Sequence, residues 1–160
     1  MRIRIVVASN RAAAGVYPDA SGPVLADGFR DAGFEVDQTV VVPDGEAVGH
    51  ALRRAVDDGV DAVITSGGTG LTATDLTPEI TASVVEREIP GIAERIRSVG
   101  AAATPFAALS RGIAGVCGRT LIVNLAGSTG AARDGLTVLI PLLPHVIDQI
   151  NDGDHPREDP

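Results

Sequence analysis

The sequence predicts an α/β fold: a three-layer α/β/α arrangement around a mostly parallel sheet. Three observations predict it. Short β-branched runs alternate with segments of helical apolar spacing, beginning at the N-terminus. The first run, Arg2–Ala8, alternates and then turns continuously apolar, as in a strand covered on both faces. Glycines and a Pro-Asp-Gly turn mark the changes of period. Successive parallel strands need right-handed crossovers, which put helices on both faces of the sheet.

The elements follow in order. Arg2–Ala8 is the first strand, and a loop containing Gly, Pro and Asp runs from Ser9 to about Ala20. Ser21 can N-cap a helix with Pro23 in its first turn. Val24, Leu25, Gly28, Phe29 and Ala32 keep helical spacing, and Gly33 ends that helix. Residues 36–42 are the second strand, broken by Pro43-Asp44-Gly45. Ala47, Val48, Ala51, Leu52, Ala55 and Val56 form one apolar helical stripe, stopped by Gly59. Residues 61–66 are the third strand. Thr77 caps a helix reaching about Glu88, with Pro78 at its first position. Pro90 opens another turn or helix to about Val99, and a helical turn is expected around Pro105–Leu109. Residues 112–116 and Thr120–Leu125 read as strands joined through Cys117-Gly118-Arg119. Val138, Leu139, Leu142, Leu143, Val146, Ile147 and Ile150 form a last helical stripe, which Pro141 and Pro144 should kink or split. One domain over residues 1–150 is expected, with an acidic tail over 151–160.

Composition excludes several chemistries. The 160 residues carry 13 basic and 21 acidic side chains, for a net charge of -8. Every basic residue is Arg, so a G-K-[ST] phosphate loop and Lys catalysis are both impossible. An acidic chain with four aromatic residues (Tyr17, Phe29, Phe34, Phe106) is unsuited to nucleic acid. Cys117 is the single cysteine and reads as a small packing residue, so no disulfide or Cys cluster forms within the chain. His50, His145 and His155 are scattered, which removes a His-rich zinc site. No uninterrupted apolar run reaches the ~18 residues of a membrane span. The N-terminus lacks a signal-peptide pattern, and the expected location is cytoplasmic.

Ligands of such folds bind beyond the carboxyl ends of the strands. There the third strand delivers Thr65, Ser66, Gly67, Gly68, Thr69 and Gly70, and Asp75 follows. Clustered glycines let backbone N–H groups approach a phosphate, and the hydroxyls add donors. A carboxylate beside a phosphate needs an intervening divalent cation, and Mg²⁺ is the usual one. The plain alternative is a flexible turn with a solvated Asp75. Asp44 is either a second carboxylate of that kind or the N-cap of the helix from Gly45. Ser128 and Thr129 are ligand contacts at a helix N-terminus or caps. Arg111, after Ser110, binds a phosphate or is a surface charge. Glu79 suits a first helical turn in any case.

Thr65-Ser66-Gly67-Gly68-Thr69-Gly70 followed by Asp75-Leu76-Thr77-Pro78-Glu79 is similar to the T-[TS]-G-G-T-G…D-x-T-P-E signature of the MogA/MoaB-type molybdopterin adenylyltransferases. Val42-Pro43-Asp44, Leu109-Ser110-Arg111 and Asn124-Leu125-Ala126-Gly127-Ser128 add to the resemblance, which covers roughly residues 3–150. Ala126 and Thr129 stand where proline is common in the family, and Asn10 where Asp is frequent. The resemblance implies a molybdopterin-binding fold that assembles as a trimer or a dimer of trimers. It implies Mg²⁺-dependent transfer of AMP from ATP to molybdopterin, releasing pyrophosphate. On this chain Asp75 and Asp44 would hold the metal, and Gly67, Gly68, Thr69 and Gly70 would cradle nucleotide phosphates. Ser110, Asn124, Gly127 and Ser128 would help hold the pterin and its phosphate. The alternative is a non-catalytic carrier or scaffold homologue, the carrier passing its ligand to a molybdenum-insertion partner.

Overall fold

The structure, a computed structural model, describes residues 1–153. Most of the expected tail, 154–160, lies outside the described residues. The elements are β1 (Arg2–Ala8), α1 (Asn10–Ala13), α2 (Ser21–Asp31), β2 (Glu35–Val36), β3 (Val40–Val42), α3 (Glu46–Asp57) and β4 (Ala62–Ser66). They continue with α4 (Thr77–Ala82), β5 (Arg87–Glu88), α5 (Pro90–Ala101), a 3₁₀ turn (Pro105–Leu109), β6 (Ala114–Cys117), β7 (Thr120–Leu125) and α6 (Thr129–Ile150). The strands form one sheet in the order β2-β1-β4-β7-β6-β5, with β3 also on β1. Pairing is parallel from β2 through β7 and antiparallel where β6 and β5 extend the sheet.

The period of two sorts the core into two layers. Ile3, Ile5 and Val7 point to the face covered by α2, α5 and α6, where they meet Leu25, Phe29, Ile92, Leu139 and Leu143. Val6 and Ala8 point the other way, onto Val48, Leu52 and Ala55 of α3. The register stacks Ile5 beside Ile64, and Ile64 beside Val123, so the three central strands bury one continuous apolar row. The predicted three-layer α/β architecture is therefore the observed one. No helix among the described residues is long and apolar enough to cross a membrane.

Several boundaries differ from the sequence reading. The second strand is two short pieces. Between Ile3↔Val36 and Val6↔Val40 the chain carries one more residue than β1 does, so Asp37, Gln38 and Thr39 leave the ladder. Arg4 makes use of the break, pairing with Asp37 at 2.6 Å and with Asp58, beyond α3, at 2.7 Å. The helix expected to reach Glu88 ends at Ala82, because the chain turns so that Glu86 N–H donates to Val116 O and β5 pairs with β6. A tertiary strand partner overrides helical propensity there. Residues 112–116 shift to Ala114–Cys117. The last helix is not split: α6 runs unbroken through Pro141 and Pro144. Both prolines lie on its exposed face, so the carbonyls they free are on the solvent side, while Leu139, Leu143 and Ile147 anchor the buried stripe. Cys117 packs half-buried beside the α3 layer, and burial pushes its thiol pKa up, which suits a packing residue.

Candidate active site

β1, β4 and β7 end together at one sheet edge. Ala8 lies beside Val42, and Ser66 lies beside both Val7 and Leu125. The loops that leave these ends enclose an open cleft of about 760 Å³, closed on a further side by the 3₁₀ turn. Of the expected site residues, Asp44, Ser66, Gly67, Gly68, Thr69, Gly70, Asp75, Ser110 and Gly127 line it.

The glycine loop is rigidly placed. Gly67 has φ +103°, donates its N–H to Leu125 O at 3.0 Å, and lies so close to β1 that a Cβ would sit 2.2 Å from Ala8 O. Gly68 has φ +62°, and a Cβ there would meet Thr77 Oγ1 at 2.2 Å and Asp44 Oδ1 at 2.8 Å. These close approaches seat the loop against β1 and the start of α4.

Asp44 does not cap α3. Gly45 is the N-cap residue, with no side-chain hydrogen bond to the helix. Asp44 instead exchanges contacts with Asn10: its Oδ2 accepts from Asn10 N–H at 3.2 Å, and its N–H donates to Asn10 Oδ1 at 3.2 Å. Its Oδ1 is buried without a partner. Asp75 is held from the other side of the loop, its Oδ2 accepting from Thr72 N–H at 2.9 Å and from Thr72 Oγ1 at 2.6 Å. That same Oδ2 lies 2.9 Å from where a Cβ on Gly70 would be. The two carboxylates thus adjoin successive turns of one glycine loop.

Two helix starts differ from the sequence expectation. Ser21 is the first residue of α2, and Asp19 supplies the cap, accepting from Ser21 N–H at 2.9 Å and Gly22 N–H at 3.0 Å. Ser21 Oγ donates to Asp19 and accepts from Ser66 Oγ at 2.9 Å, linking α2 to the end of β4. Thr77 is likewise the first residue of α4 after Leu76, and its Oγ1 is buried without a partner.

The remaining candidates, and Ser110 of the lining, hold the segments around the cleft. Arg111 is neither a free surface charge nor turned into the cleft. Its backbone N–H donates to Thr69 O, its guanidinium to Gly70 O and Asp75 O, and it pairs with Glu79. One residue therefore braces the loop from 69 to 79, its backbone at Thr69 and its side chain from Gly70 to Glu79. Glu79's carboxyl is held below the usual range by its own backbone N–H and then by Arg111. Asn124 Nδ2 donates to Thr65 Oγ1 at 3.1 Å and Thr81 Oγ1 at 2.9 Å, a buried triad under the loop. Ser110 Oγ reaches Thr69 Oγ1 at 3.3 Å. Ser128 is the N-cap of α6, accepting from Ala131 N–H at 3.1 Å. Ser128→Ala is expected to cost about 1 kcal/mol of stability in urea unfolding.

Sequence reading missed Arg11, Tyr17 and Phe106, which also line the cleft. Arg11 lies over the Tyr17 ring, 4.9 Å from its centroid, and is the one cation in the lining among the described residues. The signal was available: two of four aromatic residues fall in segments too polar or too short for core, and both are exposed.

Fold and cleft together define an α/β protein with an open cleft beyond the strand ends, floored by a glycine loop and flanked by carboxylates, at the edge where ligands of such folds bind. The chain belongs to the family described as "Probable molybdopterin binding domain", which it matches over residues 4–145. It is 36% identical over 155 residues to a molybdenum cofactor biosynthesis bifunctional protein of Chlorobaculum tepidum, covering 96% of this chain and 50% of that protein. It is 32% identical over 154 residues to a molybdopterin adenylyltransferase of Helicobacter pylori, covering 94% of this chain and 88% of that one. The solved structure of the molybdopterin biosynthesis Mog protein from Mycobacterium ulcerans superposes with a TM-score of 0.89 at 50% identity, covering 93% of this chain and 98% of that one. The chain thus spans half the length of the bifunctional relative and most of the length of the other two.

Proposed function

We propose that this protein acts in molybdenum cofactor biosynthesis as a molybdopterin adenylyltransferase. A terminal phosphate oxygen of molybdopterin attacks the α-phosphorus of ATP, the bond to the β-phosphate oxygen breaks, and pyrophosphate leaves. The observation that carries this reading is the placement of Asp44 and Asp75 against one glycine loop in one cleft. The lining also contains Asp19, with Arg11 its sole cation among the described residues, so a polyphosphate entering without a metal meets net repulsion there.

The residues present fit Mg²⁺. Among the described residues no group of three or more His, Cys, Asp and Glu side chains converges on a metal position. Two carboxylates supplemented by phosphate oxygens and water are the donor set Mg²⁺ favours. Asp44 and Asp75 would hold it, and it would neutralise charge on the reacting phosphates. The chain's own work is positioning: Arg111 and Thr72 keep Asp75 in place, and Asn10 keeps Asp44. Such transfer needs little covalent chemistry from the protein, which accords with a chain without Lys and with a packed Cys117. A trimer or dimer of trimers, and a molybdenum-insertion partner downstream, belong to the same proposal.

The test is pyrophosphate release from ATP and Mg²⁺ with and without molybdopterin. Release that depends on both Mg²⁺ and molybdopterin is expected. A folded protein that binds molybdopterin without release would instead be a carrier.

A further inference from the structure

Two polar atoms are buried without a hydrogen-bond partner among the described residues: Asp44 Oδ1 and Thr77 Oγ1. They are not scattered. Both face the same point, the place a Cβ on Gly68 would occupy, at 2.8 Å and 2.2 Å from it. Thr77 is fully buried, while Asp44 is half-buried with its Oδ1 shut off from solvent. The two atoms come from opposite walls of the loop: Asp44 follows β3, and Thr77 opens α4.

An isolated buried hydroxyl or carboxylate oxygen is strongly disfavoured, so a matched pair facing each other calls for a shared contact. The hydroxyl can donate and the carboxylate oxygen can only accept, so the chemistry is complementary. Both lie within 2.8 Å of one point, which puts them within reach of a single water, since one water bridges oxygens up to about 5.5 Å apart. The backbone is already arranged for this: Thr77 N–H donates to Gly68 O at 3.0 Å, fixing the hydroxyl's position relative to the loop. Any side chain at position 68 would fill the gap.

We propose that Thr77 is a positioning residue, whose hydroxyl holds Asp44 Oδ1 across Gly68 through one bridging water and so fixes the orientation of the Asp44 carboxylate at the cleft. The link to Asp44 stands on geometry alone; its consequence for cation binding rests on the function proposed above. Outer contacts of this kind fix the orientation of a metal-binding carboxylate, and losing one lowers metal affinity by about 10–100-fold.

The experiment has two arms. The first is a double-mutant cycle in thermal unfolding with Thr77→Val and Asp44→Ala. Thr77→Val is expected to lower Tm by a few degrees alone and to have much less effect in the Asp44→Ala background. Additive shifts would overturn the link whether or not the protein is an enzyme. The second arm titrates Mn²⁺, as a paramagnetic probe, onto wild type, Thr77→Val and Thr77→Ser. Binding about tenfold or more weaker in Thr77→Val, rescued by Thr77→Ser, is expected, with the Mg²⁺ needed for half-maximal pyrophosphate release shifting in parallel. Equal Mn²⁺ affinity in wild type and Thr77→Val would overturn the positioning role. If the cycle is non-additive but wild type neither binds Mn²⁺ nor releases pyrophosphate, the Thr77–Asp44 contact stands and the adenylyl-transfer reading falls. If Thr77→Val does not fold, Thr77→Ser and Thr77→Ala carry both arms.

Discussion

Asp75→Asn is expected to lower molybdopterin-dependent pyrophosphate release by about 10²–10³-fold, the usual cost of removing one preorganised electrostatic group from a reacting centre. The substitution is close to isosteric. Asn Oδ1 can still accept from Thr72 N–H and Thr72 Oγ1, the contacts that hold the native side chain. The turn from 72 to 75 also keeps its backbone bond, Asp75 N–H to Thr72 O at 3.1 Å. Thermal unfolding should therefore be nearly unchanged while activity collapses. What the variant loses is one negative charge beside the phosphate cradle, and with it the ability to help hold a divalent cation there. A raised Mg²⁺ requirement should accompany the loss of rate. Wild-type release from Asp75→Asn would remove this residue from the reaction.

Gly67→Ala is expected to cost about 3–5 kcal/mol, measured as a reduced urea midpoint or as failure to fold. Two effects add. At φ +103° an L side chain is strained whatever surrounds it. Here the new methyl would also sit 2.2 Å from Ala8 O, a backbone atom of the strand paired with both β3 and β4. That strand cannot retreat without breaking the ladder. Gly59→Ala is the control: its φ is +67°, but nothing lies within 4 Å of the added carbon. It should cost only the backbone term, about 1–2 kcal/mol. Equal losses in the two variants would show that the contact with Ala8 is unimportant.

Much of this was legible beforehand because it depends on local pattern. Buried strands announce themselves by β-branched runs, and the stripe Val48, Leu52, Ala55 follows from helical spacing. Gly33 and Gly59 stop helices at positive φ for a reason intrinsic to glycine. The glycine loop and Asp75 were found from spacing along a single strand–loop segment. Readings that depend on a distant partner are the ones local pattern leaves open. Asp44 reads equally as a cleft carboxylate or a cap because its neighbours in sequence are a turn and a helix, whereas its contacts are with Asn10, thirty-four positions away. Arg111 carried no sign of bracing a loop forty-one residues earlier. The caps of α2 and α4 were displaced by a residue or two because several polar side chains compete near each helix start, and only the backbone path selects among them.

Local pattern alone sets the alternation of strand and helix, the two-sided burial of the central strands, and the composition of the loop that leaves β4. These are short-range consequences of side-chain shape and apolar periodicity, and no partner is needed to read them. Only the tertiary structure decided that β5 would be a strand, that α6 would pass through two prolines, and that Asp44, Thr77 and Asp75 would meet around Gly68 and Gly70. Those outcomes come from parallel crossovers that carry residues far apart in the chain to one sheet edge. The energies that settle them, a ladder bond gained or a buried oxygen paired, exist only once that edge has formed.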